Sequence, residues 1–327
     1  MIRMLKTRLT EVLGIDHPII QPGMGAEAGP ELASAVSEAG ALGTLGTIGT
    51  PPKLVASSIA RVRDLTARPF AVNLVTFDGA PFRDELLALA IGERTSIVTL
   101  SFGAPAGFVQ RFKEAGAIVF VQAQDVSQAM AAIAAGADFI IAQGAEAGGH
   151  TGRRGTLGFA AQVLEMAGEV PVVVAGGVGN GRGLAAALAM GASGVVMGTR
   201  FKASAEFAGN PAHKAAIVRS DGGDTIADLA NDGAMPFRWP SNVVGRVLRT
   251  PFAEEWAGRA DELRTKAASY GDPRGIYQDP ELDPPLDLNW AGESSALVTE
   301  ILPAGEIVRQ TVAEAERLLR SVARLLQ

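Results

Sequence analysis

His150 stands in AQGAEAGGHTGRRG (142–155), flanked by Gly148, Gly149, Gly152 and Gly155. Imidazole is the side chain that exchanges a proton near neutral pH, so this close-fitting, mobile glycine loop is the place to look for a general base. Two other glycine clusters suit an anion: Gly176 and Gly177 in VVVAGGVGNGRG, and Gly198 before Thr199 in MGTRF. Glycine lets backbone N–H groups approach a phosphate with no Cβ in the way, and a helix N-terminus adds orphan donors. Four amides, Gln21, Asn73, Gln122 and Gln143, lie toward the ends of short apolar runs. Amides offer donors and acceptors without net charge, which is what a planar ring rich in heteroatoms requires. Together these residues describe a site for a phosphorylated planar cofactor.

Such a site needs elements that bring the run ends together. Eight apolar, β-branched runs occur: PIIQPGM (18–24), ALGTLG (41–46), FAVNLV (70–75), SIVTLSFG (96–103), AIVFVQA (117–123), DFIIAQG (138–144), PVVVAGG (171–177) and GVVMGTRF (194–201). They are continuous in hydrophobicity, as strands buried on both faces of a parallel sheet are. Segments of helical spacing separate them, among them 31–40, 126–137 and 182–192, each ending at or beside glycine. Eight similar strand–helix units fit a closed (β/α)8 TIM barrel better than an open doubly wound sheet. In a barrel the chemistry sits at the C-terminal strand ends, with phosphate held after the seventh and eighth strands. The GNGRG segment has the wrong spacing, and follows the wrong strand, for a dinucleotide fingerprint.

Residues 1–201 are expected to form this barrel. All three Trp (239, 256, 290) and both Tyr (270, 277) fall after it, with the proline-rich PFRWP (236–240) and DPELDPPLD (279–287). Residues 202–302 therefore read as an insertion, a lid over the barrel mouth. Phe237, Trp239 and Trp256 either shape the pocket or form a satellite cluster. Residues 303–327 read as a closing helix with Val308, Val312, Ala315, Leu319, Val322 and Leu326 on its apolar face.

Composition narrows the function. With 29 basic and 35 acidic residues, net −6, the chain lacks the cationic excess of a nucleic-acid binder. The absence of cysteine excludes disulfides, iron–sulfur clusters, thiolate metal sites and cysteine nucleophiles. Only three histidines, widely spaced, leave no metal site to expect. The N-terminus has no secretory pattern and no run spans a bilayer, so a soluble, cytoplasmic protein is expected. His17 reads as packing at the barrel bottom and His213 as a helix decoration. Glu146 and Asp138 read as turn or surface residues, and Arg153 and Arg154 as a solvated pair.

HPIIQPGMG, FAVN, VQA, AQGAEAGGH, AGGVGNGRG and MGTRF, in that order, with WAGESSALV (290–298), resemble the nitronate monooxygenase family, formerly 2-nitropropane dioxygenase. The resemblance implies non-covalent FMN held by Gly23, Met24, Asn73, Gln122, Gln143, Gly148, Gly149, Gly176, Gly177, Met197, Gly198 and Thr199, with His150 as catalytic base. It implies oxidation of an alkyl nitronate or nitroalkane with O2 to a carbonyl compound and nitrite. FMN-dependent enoyl-acyl-carrier-protein reductases and NADH:quinone reductases share the glycine–histidine loop, so NAD(P)H-dependent reduction of quinones or enoyl thioesters is the alternative. Gln143 favours the monooxygenases, whereas Pro22 and Gly23 in QPGM and Ala71 in FAVN depart from the family pattern and bear on pocket shape. A barrel that binds a phosphorylated ligand without redox chemistry is a second alternative.

Overall fold

The computed structural model describes residues 5–235, 237–269 and 285–326. Each of the eight apolar runs contains one strand: β1 (Ile19–Ile20), β2 (Gly43–Leu45), β3 (Phe70–Val75), β4 (Ile97–Ser101), β5 (Ile118–Ala123) and β6 (Phe139–Gln143). The seventh and eighth runs hold β8 (Val172–Ala175) and β9 (Gly194–Val196), because a short strand, β7 (Gly149–Thr151), intervenes in a different sheet. The large sheet is parallel, in the order β1-β9-β8-β6-β5-β4-β3-β2. Leu42 donates its N–H to the Ile19 carbonyl, and Gln21 to the Leu42 carbonyl, both at 2.9 Å. These bonds bring β1 to β2 and close the (β/α)8 barrel.

Side chains alternate between two packed layers because strand neighbours point to opposite faces. Val119, Val121, Ile140, Val172 and Val174 face outward against the helices. Phe120, Phe139, Ile141, Val173 and Val196 fill the interior, with the Phe120 and Phe139 rings stacked at 4.4 Å. Below its mouth the barrel is a packed core.

The bottom is sealed by a segment to which the sequence pattern assigned no role. Thr7 and Thr10 form a reciprocal capping box at the start of the helix Arg8–Leu13, and Gly14 ends it at φ 65°. Leu9 and Leu13, followed by Ile15, join the interior layer. His17 sits at this end, where burial pushes its imidazole below the ordinary range and Asp16 opposes the shift.

After β9 come the short helix Thr199–Lys202, the helix Pro211–Arg219, and β10 (Thr225–Asp228) with β11 (Val244–Leu248). β11 pairs antiparallel with β10 on one edge and with β7 of the barrel loop on the other. The helices Pro251–Trp256 and Ala260–Ser269 pack Phe252, Trp256 and Leu263 into a separate cluster. Pro236, Tyr270, Tyr277 and residues 279–284 of the proline-rich stretch lie outside the described residues.

The expected closing helix runs Ala304–Ala323. Val308, Val312 and Ala315 are buried and Leu319 packs partly on the core, but Val322 is 53% exposed. The reason is length: the helix has 20 residues, whereas its neighbour Gly181–Ala189 has nine, so its last turns outrun what they could cover. Leu326 lies in a terminal turn whose side chain is outside the description. No described helix is long and apolar enough to cross a membrane.

Leu9 is fully buried in the interior layer. Leu9→Ala is expected to lower unfolding stability by about 2–5 kcal/mol, measured by chemical denaturation; an unchanged midpoint would show that the N-terminal helix does not seal the barrel.

Candidate active site

The C-terminal strand ends surround a cavity of about 460 Å³. Gly23, Met24, Asn73, Gln122, Gln143, Gly148, Gly149, His150, Gly176, Gly177, Gly198 and Thr199 all line it. Met197 does not: its side chain is fully buried in the outer layer, because the alternation along β9 turns it toward the helices. Gln21 is also absent from the rim. It is fully buried, accepting from Thr44 N–H at 3.1 Å and donating to the Thr44 carbonyl at 3.2 Å, and so ties β1 to β2.

The remaining amides are oriented by neighbours. Gln143 Oε1 accepts from Gln122 Nε2 and from Gln124 Nε2, the latter at 2.6 Å, which leaves the Gln143 amide N–H groups to donate. Asn73 Nδ2 donates to Ser101 Oγ at 2.9 Å and to the Thr99 carbonyl at 3.2 Å, which leaves Oδ1 to accept. One rim position thus presents a donor and another an acceptor, a pattern suited to the pyrimidine edge of a flavin. Gln124, which had no motif to mark it, sets half of that pattern.

At the ends of β8 and β9, Gly176 has φ 100° and Gly177 φ 71°. A Cβ at Gly176 would stand 2.7 Å from Thr156 Oγ1 and 2.9 Å from the Gly144 carbonyl, so the loop closes only around glycine. Gly198 precedes the short helix at Thr199. These backbone positions offer the Cβ-free approach that a phosphate needs. In GNGRG, Asn180 is a helix cap that accepts from Arg182 and Gly183 N–H groups. Glu146 accepts from Thr156 N–H and hydroxyl and so caps the next helix, a role more specific than a turn or surface position.

His150 is held on four sides. The loop that carries it is not free: β7 pairs with β11, and His150 lies opposite Gly245. Its ring stacks on Trp239 with centroids 3.6 Å apart and planes 16° apart. Trp290 lies at 4.9 Å, and Phe102 approaches edge-on at 6.1 Å. Phe102 itself has φ 63°, a strained backbone at the cavity wall. His150 Nε2 lies 2.7 Å from Asp232 Oδ1, with side chains only 15% and 4% exposed. A carboxylate there accepts Nε2–H, which leaves the lone pair of the neutral imidazole on Nδ1.

The distant partners fit because Gly245 has no side chain. A Cβ there would stand 2.6 Å from Trp290 Cζ3 and 3.2 Å from Asp232 Oδ2. Asn231 Nδ2 donates to the Gly245 carbonyl at 2.8 Å, fastening the turn that carries Asp232 to β11. Asp232 and Gly245 carried no sequence signal toward the site, and Trp290 entered only as the first residue of WAGESSALV, since their closeness to His150 exists only after β11 pairs with β7. Of the three insertion aromatics, Phe237 and Trp239 line the cavity, whereas Trp256 belongs to the satellite cluster with Phe252 and Leu263. His213, in the helix Pro211–Arg219, pairs with Asp287 at 2.6 Å.

Comparison with known proteins agrees with this geometry. The sequence pattern of the family described as nitronate monooxygenase matches residues 6–84 and 75–314. The chain is 39% identical over 253 residues to a (3aS,4S,5R,7aS)-5-hydroxy-7a-methyl-1-oxo-octahydro-1H-indene-4-carboxyl-CoA dehydrogenase of Mycobacterium tuberculosis, a match that covers 77% of this chain and 68% of that protein. It is 33% identical to a nitronate monooxygenase of Pseudomonas aeruginosa across 94% of this chain and 98% of the other. Among solved structures, FabK from Thermotoga maritima aligns over 98% of this chain and 99% of its own, with a TM-score of 0.83 and 33% identity.

Gly245→Ala tests the packing beneath His150. The added methyl is expected to displace the Trp290 ring and to cost about 1–3 kcal/mol, read as a changed tryptophan emission and a lowered denaturation midpoint. Wild-type emission and stability would contradict the arrangement.

Proposed function

The chain belongs to the nitronate monooxygenase family, and from that premise we propose that it is an FMN-dependent enzyme that oxidises alkyl nitronates with O2 to a carbonyl compound and nitrite. Membership among flavin-dependent oxidoreductases displaces the non-redox reading of the barrel. The observation that carries the proposal is His150, fixed by Asp232 and Trp239 at the wall of a cavity whose rim offers a donor at Gln143 and an acceptor at Asn73.

Bound FMN supplies the electron transfer between the nitronate and O2. Asn73 and Gln143 would hold the heteroatoms of its ring, with Gln122, Gly23 and Met24 beside them. Gly148, Gly149, Gly176, Gly177, Gly198 and Thr199 would border its ribityl phosphate. His150 takes the α-proton of a neutral nitroalkane on Nδ1 or, with a nitronate already formed, orients it. Asp232 keeps the imidazole in one tautomer and balances the imidazolium once the proton arrives. Trp239, Trp290 and Phe102 confine the substrate and exclude water, and the described residues of 202–302 serve as the lid that carries most of these groups.

A second reading has NAD(P)H reduce the flavin and an enoyl thioester or quinone accept the electrons; the carboxyl-CoA dehydrogenase relative supports only the thioester class of substrate, not the direction of electron flow. The two readings separate on the electron donor.

His150→Ala is expected to retain FMN and to lose about 10²- to 10⁴-fold in nitrite release from neutral nitroalkanes, with a smaller loss on preformed nitronates. Undiminished turnover of the neutral substrates would remove His150 as the base. Rapid NADPH consumption with an enoyl thioester, without nitrite from any nitronate, would establish the reductase reading instead.

A further inference from the structure

Three cations are buried where the barrel meets the inserted segment. Lys214 donates to the Ser204 and Ala205 carbonyls at 2.7 and 3.3 Å, and Arg200 to the Glu300 carbonyl at 2.8 Å. Neither lines the cavity. Lys202, 5% exposed, does line it.

The Lys202 ammonium has one hydrogen bond, to the Trp290 carbonyl at 3.0 Å. An ammonium has three N–H donors, so two lack an acceptor among the described residues. The Phe207 ring lies 6.0 Å away, and no described carboxylate comes within ion-pair distance. A buried charge without a counter-charge is costly, and the cost is relieved when a ligand supplies the opposite charge. Burial pushes this amine down to about 8, with Glu27 and Asp287 pulling the other way without restoring it.

Trp290 links this charge to the proton-transfer site. Its carbonyl accepts from Lys202 while its ring lies against His150. Cofactor phosphate is expected at the backbone turns of Gly176, Gly177 and Gly198, whereas Lys202 is anchored by Trp290, which also walls the substrate space beside His150. We propose that Lys202 is an anion subsite for a carboxylate carried by the substrate, so that an acid with an apolar body binds with its carboxylate on Lys202 and its reacting carbon beside His150. This rests on the reading of the cavity as a substrate site, but requires no particular reaction there.

The test is equilibrium binding to the FMN-loaded protein, followed by tryptophan fluorescence and flavin difference spectra, with hexanoate and hexanamide as non-reacting probes. Because no turnover is needed, the result stands apart from whether nitronates are oxidised. Wild-type protein is expected to bind hexanoate about tenfold or more tighter than hexanamide. Lys202→Met should erase that preference, with hexanamide affinity retained and a melting temperature at or above wild type, since a buried charge has been removed. Lys202→Arg should keep the preference.

A wild-type protein that does not distinguish the two probes overturns the proposal, and so does a preference that survives in Lys202→Met. Equal loss of both probes with a lowered melting temperature would make Lys202 a structural tie to Trp290. Loss of FMN on dialysis, with the preference intact, would assign the ammonium to the cofactor phosphate.

Discussion

Three backbone residues of β11, Val244–Arg246, paired with three of β7, Gly149–Thr151, hold the site together. Without that ladder His150 would sit in a glycine-flanked loop with no fixed direction. With it, His150 faces Gly245, and everything that gives the imidazole a defined chemistry arrives through the same strand. Asn231 bonds the Gly245 carbonyl and so delivers Asp232, while the missing side chain at Gly245 makes room for Trp290. The barrel supplies the floor and the amide rim, and the inserted segment supplies the partners of His150.

This division explains what could be read from the chain. Strands buried on both faces write themselves as uninterrupted β-branched runs, and their ends must face one way once the barrel closes, so residues 70–75, 117–123 and 138–144 announced both the elements and the rim amides. Gln21 misled because an amide near a strand end has two destinations, the mouth or the neighbouring backbone, and composition does not choose between them. Met197 misled by one step of strand alternation, which sends adjacent side chains to opposite faces. Asp232 sits in LAND, a stretch that signals only a turn. Its role depends on a contact 82 residues away in sequence, beyond anything local periodicity records. The N-terminal helix leaves no periodic pattern in the sequence because six residues are too few to display a helical stripe.

The cavity concentrates polar groups that a purely structural barrel would replace with packing. Among the described residues, Asp232 keeps one oxygen, Oδ2, buried without a partner, and Lys202 keeps two unspent donors. Phe102 adds backbone strain at the same wall. Glu146 on Thr156 and Lys214 on two carbonyls, by contrast, are used up locally. Unspent hydrogen-bonding capacity beside a formed cavity, as at Asp232 and Lys202, is what an incoming ligand can use.

The decisive observation is the visible spectrum of the FMN-loaded protein without oxygen, titrated in one sample with propyl-2-nitronate and in another with NADH. The account requires the flavin bands to bleach with the nitronate and to persist with NADH. Bleaching by NADH with no response to the nitronate would contradict it and make the protein a pyridine-nucleotide-driven reductase.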